Sequence, residues 1–136
     1  MSLHDTAERF LDACETGKGW EGCRQWCHAD AGFSAQSDAL TGIVTLAGYC
    51  DWMRDLLVPL PDGRYELQAL AVDEARETAL AFAVFHGTHT ADGPVPATGR
   101  STASDYVYAM VFDGDRIRHM TKVWNDAHAL RQLGWS

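Results

Sequence analysis

The sequence of 136 residues has no cluster of basic residues and no long apolar run. It has 11 lysines and arginines against 19 aspartates and glutamates, which gives a formal net charge of −8. Binding to nucleic acid or to an anionic membrane normally requires a basic patch, so we expect neither partner. No apolar stretch approaches the roughly 18 residues of a membrane span, and Met1–Asp5 lacks the basic start of a secretory signal. We therefore predict a cytoplasmic protein.

Cysteine is scarce, with four residues, Cys14, Cys23, Cys27 and Cys50. In a reducing compartment buried thiols behave as small hydrophobic groups, so we expect free thiols in the core. Cys23, Cys27 and His28 superficially resemble metal ligands, but no second ligand pair follows at the spacing of a zinc site. We therefore predict no metal.

The sequence also has no dinucleotide fingerprint, no phosphate-binding loop and no nucleophile elbow, and we expect no cofactor. Its hydrophobic content of 46% is close to the globular average of about 45–50%. A chain of this length buries roughly 68% of the surface that its unfolded form exposes, enough for one core without disulfides or metals. We expect one domain over residues 1–136.

Apolar residues in the first 60 positions recur with the period of amphipathic helices. They predict a first helix after Ser2 that stops before Gly17, a short second helix, and a third helix ended by Pro59. A short strand is expected at Phe33 to Gln36. The three apolar stripes are Leu3, Ala7, Phe10, Leu11 and Cys14; Trp20, Cys23 and Cys27; and Leu46, Tyr49, Cys50, Met53, Leu56 and Leu57.

From Arg64 onward the apolar period changes to two, which is typical of strands. Turn signals such as Asp113-Gly114 separate the segments, so we predict long antiparallel strands joined by hairpins. A short last helix is expected at Ala127 to Leu133. Helices followed by a curved antiparallel sheet indicate an α+β fold with helices on one sheet face. The predicted strands are Tyr65 to Val72, Thr78 to Thr90, Ser101 to Phe112 and Arg116 to Asn125.

Four segments in the second half occur in a characteristic order: Phe85–Thr90 (FHGTHT), Pro96–Arg100 (PATGR), Phe112–Ile117 (FDGDRI) and Leu130–Gly134 (LRQLG). Together with the order of predicted elements, they make the chain resemble the SnoaL-like polyketide cyclases of the nuclear transport factor 2-like superfamily. The likeness spans nearly the whole chain.

The resemblance implies a cystatin-like cone, in which N-terminal helices pack on a curved antiparallel sheet around a deep pocket. It also implies a homodimer that forms through the sheet. Characterised relatives include cofactor-free cyclases and isomerases that use an acid/base residue on carbonyl substrates. The superfamily also contains binding and adaptor proteins, so the fold does not decide the function.

One departure from the family pattern concerns the last strand, where many relatives carry H-W-D and then W-D at its end. An ungapped alignment places the histidine at Met120, the first aspartate at Lys122 and the second at Asn125. The usual carboxylate base is missing. A catalytic protein of this sequence would need a different acid/base group.

A two-residue turn at Asp113-Gly114 would pair Asp105 with Lys122 on the pocket face. Lys122 would then provide a cation for an enolate or carboxylate, with Asp105 as orienter or general base. The alternative is an exposed cross-strand ion pair worth about 0–1 kcal/mol. A bulged turn would shift one strand and reverse the facing of its residues.

Histidines offer further candidates. His86 and His89 lie three apart on a strand and point to opposite faces, so they cannot share a metal. His89 matches the histidine of the family's G-T-H-T segment, and we predict that it either ties down the strand end or lines the pocket as a catalytic residue. The same turn would place His119 beside Tyr106 and Tyr108, in a core or dimer-face cluster.

Aromatic residues from the helices and strands predict an apolar cavity with few polar groups, as is typical of small-molecule sites. A stripe such as Tyr49 and Met53 also fits ordinary core packing. The predicted ligand-binding residues are Trp124, Tyr49, Met53, Phe85, Trp52, Met120 and Asn125.

Two functions remain open on these observations. The first is a cofactor-independent acid/base enzyme of the cyclase or isomerase type that acts on a small apolar carbonyl or polyketide-like compound. The alternative is a non-catalytic module of the same fold that binds a small ligand or forms a dimer. Lys122 and Asn125, in place of carboxylates, favour the alternative.

Overall fold

A computed structural model describes residues 1–136, and it confirms the α+β fold. Four helices accompany five strands, and two short 3₁₀ segments occupy Arg24–Trp26 and Asp38–Leu40. In chain order the elements are α1 (Leu3–Glu15), α2 (Gly19–Cys23), β1 (Cys27–Ala35), α3 (Leu46–Leu56), β2 (Arg64–Asp73), β3 (Thr78–Thr88), β4 (Ser101–Asp113), β5 (Arg116–Trp124) and α4 (Asp126–Leu133).

The five strands form one sheet in the order β1-β5-β4-β3-β2. Strands β2 to β5 form the predicted antiparallel series. Strand β1 adds to β5 in the parallel direction. It begins at Cys27, well before the short strand that the sequence predicted, and the second helix ends at Cys23 instead of continuing its stripe.

Local signals explain where three of the helices begin. The Ser2 hydroxyl accepts a hydrogen bond from Asp5 N (3.0 Å), and the Thr45 hydroxyl accepts one from Gly48 N (3.1 Å). The Asn125 side chain accepts one from His128 N (3.2 Å) at the start of α4. Each cap satisfies an amide that the first helical turn leaves without a partner.

The turn between β4 and β5 differs from the prediction. Asp113 pairs with Arg116, so the loop is Gly114-Asp115, and Gly114 adopts a φ of +66°. A bulge then shifts the register between Val111 and Phe112. The two changes pair Tyr108 with Lys122, and the predicted pairing of Asp105 with Lys122 is wrong.

The core lies between the helices and the inner face of the sheet. Strand β3 contributes small inward residues, Ala79, Ala81 and Ala83, and α1 packs across β2 and β3. Strand β4 instead contributes large inward residues, which are Tyr106, Tyr108, Met110 and Phe112. The inward side chains are therefore small on β3 and large on β4. One of the large residues, Tyr106, also lines the site described below.

The outer face of the sheet exposes Leu80, Phe82 and Val123, with exposed fractions of 50%, 40% and 62%. The homodimer through the sheet stays a prediction. None of the helices combines the length and apolar character that a membrane crossing requires.

Candidate active site

A cavity of about 560 Å³ opens between α3, α4 and the inner face of the sheet. Its volume lies in the range typical of small-molecule sites, about 300–1,000 Å³. Three predicted ligand-binding residues, Trp52, Phe85 and Trp124, line it. Most of the other lining side chains are also apolar: Ala39, Leu56, Val58, Pro59, Leu60, Pro94, Ala129, Leu130, Leu133 and Trp135.

A second, much smaller hollow of about 10 Å³ lies behind this cavity. The two spaces share four lining residues, Leu56, Phe85, Ser104 and Trp124. A hollow of this volume holds about one water molecule. Glu15, Met53, Tyr106 and Lys122 line the hollow but not the cavity. Lys122 also borders a polar groove of about 650 Å³, together with Trp124 and Asn125. The buried ionisable pair Glu15 and Lys122 is therefore at the hollow, next to a mostly apolar cavity that Asp55 and Asp92 also line.

Lys122 is held in a cage of aromatic rings. Its side chain points inward from β5, only 5% of the residue is exposed, and no carboxylate lies within 4.0 Å of Nζ. The Nζ atom lies 4.2 Å from the ring centroid of Trp124 and 5.2 Å from that of Tyr49. The rings of Trp52 and Tyr106 both lie at 5.3 Å. Faces of aromatic rings attract a cation and replace part of its lost hydration.

Burial lowers the pKa of Lys122 to about 8, and the negative charge of Glu15 opposes this shift. Loss of hydration disfavours the charged form of an amine. An amine with a pKa near neutrality gives up and takes back a proton readily, which suits a general acid/base.

Glu15 is the last residue of α1 and is 1% exposed. Its carboxylate accepts a hydrogen bond from the Tyr108 hydroxyl, which lies 2.6 Å from the Tyr49 hydroxyl. Burial raises the pKa of Glu15, and the nearby Lys122 charge lowers it. The carboxylate thus partly balances the buried ammonium without contacting it.

Tyr106 is the polar group of the site that has no partner. Its hydroxyl is buried and makes no hydrogen bond, although it lines the hollow beside Lys122. Burial, and then the charge of Glu15, raise the pKa of Tyr106, so the hydroxyl keeps its proton. An unpaired buried donor is costly and free to bind a ligand oxygen or a water molecule.

Comparison with known proteins identifies the family of this chain. The family model of the SnoaL-like polyketide cyclases matches residues 5–133. The chain belongs to this family. No curated protein sequence matches it.

Three solved structures share the fold of this chain. IdmH, a putative polyketide cyclase from Streptomyces antibioticus, is 20% identical with a TM-score of 0.79, covering 98% of this chain and 99% of IdmH. AclR, a putative hydroxylase from Streptomyces galilaeus, is 17% identical with a TM-score of 0.79, covering 98% and 85%. A putative polyketide cyclase from Acidithiobacillus ferrooxidans is 19% identical with a TM-score of 0.76, covering 98% of both chains.

Two sequence-predicted groups lie away from the site of this family member. Asp105 is exposed on the outer face of β4, opposite Val84 of β3. His119 is also outside, with Nε2 at 3.0 Å from the Ser34 hydroxyl, so its predicted place beside Tyr106 and Tyr108 is wrong. The shifted register and the bulge cause both differences, because side chains alternate along a strand.

His89 is fully buried but does not line the cavity. Its Nδ1 accepts hydrogen bonds from Trp135 Nε1 (2.9 Å) and Thr98 N (3.1 Å), while Nε2 has no partner. These bonds connect the end of β3 to the loop before β4 and to the C-terminus. The structure therefore places His89 where it ties down the strand end, which is one of its two predicted roles.

The remaining predicted ligand residues occupy different places. Met53 lines the hollow, whereas Tyr49 and Met120 are fully buried. Asn125 is exposed and caps α4. Sequence reasoning missed Glu15, although it follows Leu11 by four residues and so falls on the buried face of α1. A glutamate on an apolar helix face was the available signal.

One group of residues has metal-ligating chemistry. The sulfur atoms of Cys14, Cys23 and Cys50 lie within 4.8 Å of one another, and all three residues are buried. Cys27, also free and buried, instead directs its thiol to the Cys23 carbonyl oxygen (3.6 Å).

Proposed function

We propose that the protein is an acid/base enzyme of the cyclase or isomerase type, acting on a small apolar carbonyl compound, with Lys122 as the group that transfers the proton. The observation that carries the proposal is the position of Lys122. It is an amine whose pKa is lowered to about 8, in a small hollow that shares lining residues with a mostly apolar cavity of about 560 Å³. Neither Asp105 nor any family carboxylate is needed.

The chemistry begins with the neutral amine of Lys122. At pH 7 about a tenth of such a group is unprotonated. In the proposed step, a C–H bond next to the carbonyl breaks, its proton goes to Nζ, and its electron pair moves to the carbonyl oxygen as an enolate. The new ammonium then faces an anion in a low-dielectric site, where their attraction is strong.

The enolate then reacts in one of two ways. In an isomerisation, the ammonium returns the proton to a different carbon. In a cyclisation, the enolate carbon attacks a second carbonyl, and the ammonium gives its proton to the alkoxide that forms. The free hydroxyl of Tyr106 lines the hollow, where it can donate a hydrogen bond to a water that lies between Lys122 and the compound.

The hollow explains how a compound in the cavity exchanges protons with a caged lysine. Its volume of about 10 Å³ corresponds to one water molecule. A general base acts directly or through one water. We propose that a single water in the hollow carries the proton past Leu56 and Trp124.

The test uses 2-tetralone, a bicyclic apolar ketone with acidic α-protons, as the probe. Exchange of these protons in D₂O is followed by NMR with the wild type and with Lys122→Met. We expect the variant to lose about 100-fold of the protein-catalysed rate, the scale of a general acid/base. Lys18→Met is the matched control, because Lys18 is the other lysine of the chain and is exposed.

Binding of the ketone is measured in parallel by thermal shift. Stabilisation by 2-tetralone without any catalysed exchange would favour the ligand-binding module instead, a function that the shielding of Nζ by four rings also suits. Equal exchange rates in the wild type and Lys122→Met would overturn the role of Lys122. Absence of both binding and exchange would count against apolar ketones as the substrate class.

A further inference from the structure

Three thiols from three different helices meet in the core, at a place separate from the cavity. Cys14 belongs to α1, Cys23 ends α2 and Cys50 lies in α3. All three have an exposed fraction of 0%, and the Sγ atoms of Cys14 and Cys50 are 3.9 Å apart. None of these residues lines the cavity or the hollow.

We infer that Cys14, Cys23 and Cys50 form a binding site for one soft, thiophilic metal ion, best suited to monovalent copper. Thiolates select soft cations such as Cu(I), and structural cysteine sites also take zinc. Three sulfurs bound to one metal at about 2.3 Å lie about 4 Å from one another. The observed spread, within 4.8 Å for every pair, needs only small side-chain adjustments to reach this geometry.

The number of donors distinguishes copper from zinc. Structural zinc is almost always bound by four tetrahedral ligands, and the group of donor atoms here contains three. The Tyr108 hydroxyl lies 3.9 Å from Cys14 Sγ and already donates to Glu15. A fully buried site with three sulfur donors suits an ion that accepts three ligands.

Binding proceeds without a change of oxidation state. Three S–H bonds lose their protons to solvent, and three sulfur–copper bonds form. The thiols are buried, so the ion enters when the helices separate. Copper is therefore supplied in two ways, to the folded protein and during refolding from denaturant. If neither way gives binding, the burial of the thiols cannot be the reason.

The experiment titrates reduced protein anaerobically with Cu(I) against a chromogenic copper chelator. We expect one ion per chain and three sulfur neighbours in the copper X-ray absorption spectrum. Single changes of Cys14, Cys23 or Cys50 to serine are each expected to weaken binding at least tenfold. Cys27→Ser is the matched control, since this buried thiol lies outside the three-sulfur group, and it should bind copper as the wild type does.

Three results of the copper experiment would overturn the proposal. These are no binding by either route, equal loss of binding in Cys27→Ser, and a coordination sphere with fewer than three sulfurs. A parallel titration with Zn²⁺ decides the metal class, because tighter binding of zinc than of copper by the same three thiols would contradict the assignment to a three-coordinate monovalent ion. Circular dichroism of each variant checks that the helices are retained.

Discussion

Both faces of β4 and β5 carry ionisable residues, but those on the inner face are buried and those on the outer face are exposed or partly exposed. On the inner face, Lys122 and Tyr108 are nearly or fully buried and share the site with Glu15. On the outer face, Asp105 is exposed and His119 bonds to a serine. Asp105 and Tyr108 lie three positions apart on β4, and His119 and Lys122 lie three positions apart on β5. The difference shows that register, and not residue type, decides which ionisable group can act in a dry site.

The largest difference between the faces should appear when a carboxylate is removed. Glu15→Ala leaves the buried Lys122 charge without its counter-ion and Tyr108 without its acceptor, so it should cost about 3–5 kcal/mol of unfolding free energy. Asp105→Ala, on the outer face, should cost less than about 0.5 kcal/mol. Urea unfolding of both variants measures this, and equal losses would contradict the assignment of the faces.

The pH dependence of stability sharpens the same contrast. The folded-state pKa of Lys122, about 8, is below its ordinary value of 10.5, so between these values the unfolded chain binds more protons and stability rises with pH. The titratable groups near Lys122 are Glu15, Cys14, Tyr49 and Tyr106. From pH 7 to pH 10.5, the wild type should gain about 3 kcal/mol relative to Lys122→Met. A constant difference would show that burial does not shift this amine.

Two tyrosines on the inner face provide a matched pair. Tyr108→Phe removes the hydrogen bond to the buried Glu15 and the hydroxyl contact with Tyr49, and should cost about 1.5–3 kcal/mol. Tyr106→Phe removes a hydroxyl that has no partner, so it should be neutral or slightly stabilising. Thermal or urea unfolding separates the two. A larger loss in Tyr106→Phe would mean that its hydroxyl has a partner in solution.

The smallest effect concerns the turn that sets the register. Gly114 adopts a φ of +66°, and an added Cβ would meet nothing within 4 Å. Gly114→Ala should therefore cost about 1 kcal/mol from backbone conformation alone. Gly22→Ala would not isolate this backbone effect, because a Cβ added at Gly22 would collide with the Lys18 side chain. No loss of stability in Gly114→Ala would argue against the Gly114-Asp115 loop.

Much of the fold was predictable because it depends on local signals. The change of apolar period near Arg64, the cap at Ser2 and the left-handed Gly134 that ends α4 each act within a few residues. The family segments gave the architecture and the place of the cavity. The aromatic lining by Trp52, Phe85 and Trp124 followed from the same reasoning.

The inner site was only partly predictable, because it depends on a bulge and on contacts distant in sequence. One extra residue between Phe112 and Lys122 changes which partner Lys122 meets, and no signal in the turn announces it. Glu15 and Tyr108 are separated by 93 positions, and neither can be paired from spacing. Lys122 was identified as a candidate, but its aromatic cage was not.

The most direct test of the account is the pKa of Lys122, measured by NMR. Lysine labelled with ¹³C at the ε-carbon gives two signals in this chain, because Lys18 and Lys122 are its only lysines, and Lys18→Met assigns them. We expect the Lys122 signal to titrate at a pKa of about 8. Titration at the ordinary lysine value of 10.5 would contradict both the buried cage and the proposed role of this amine as an acid/base group.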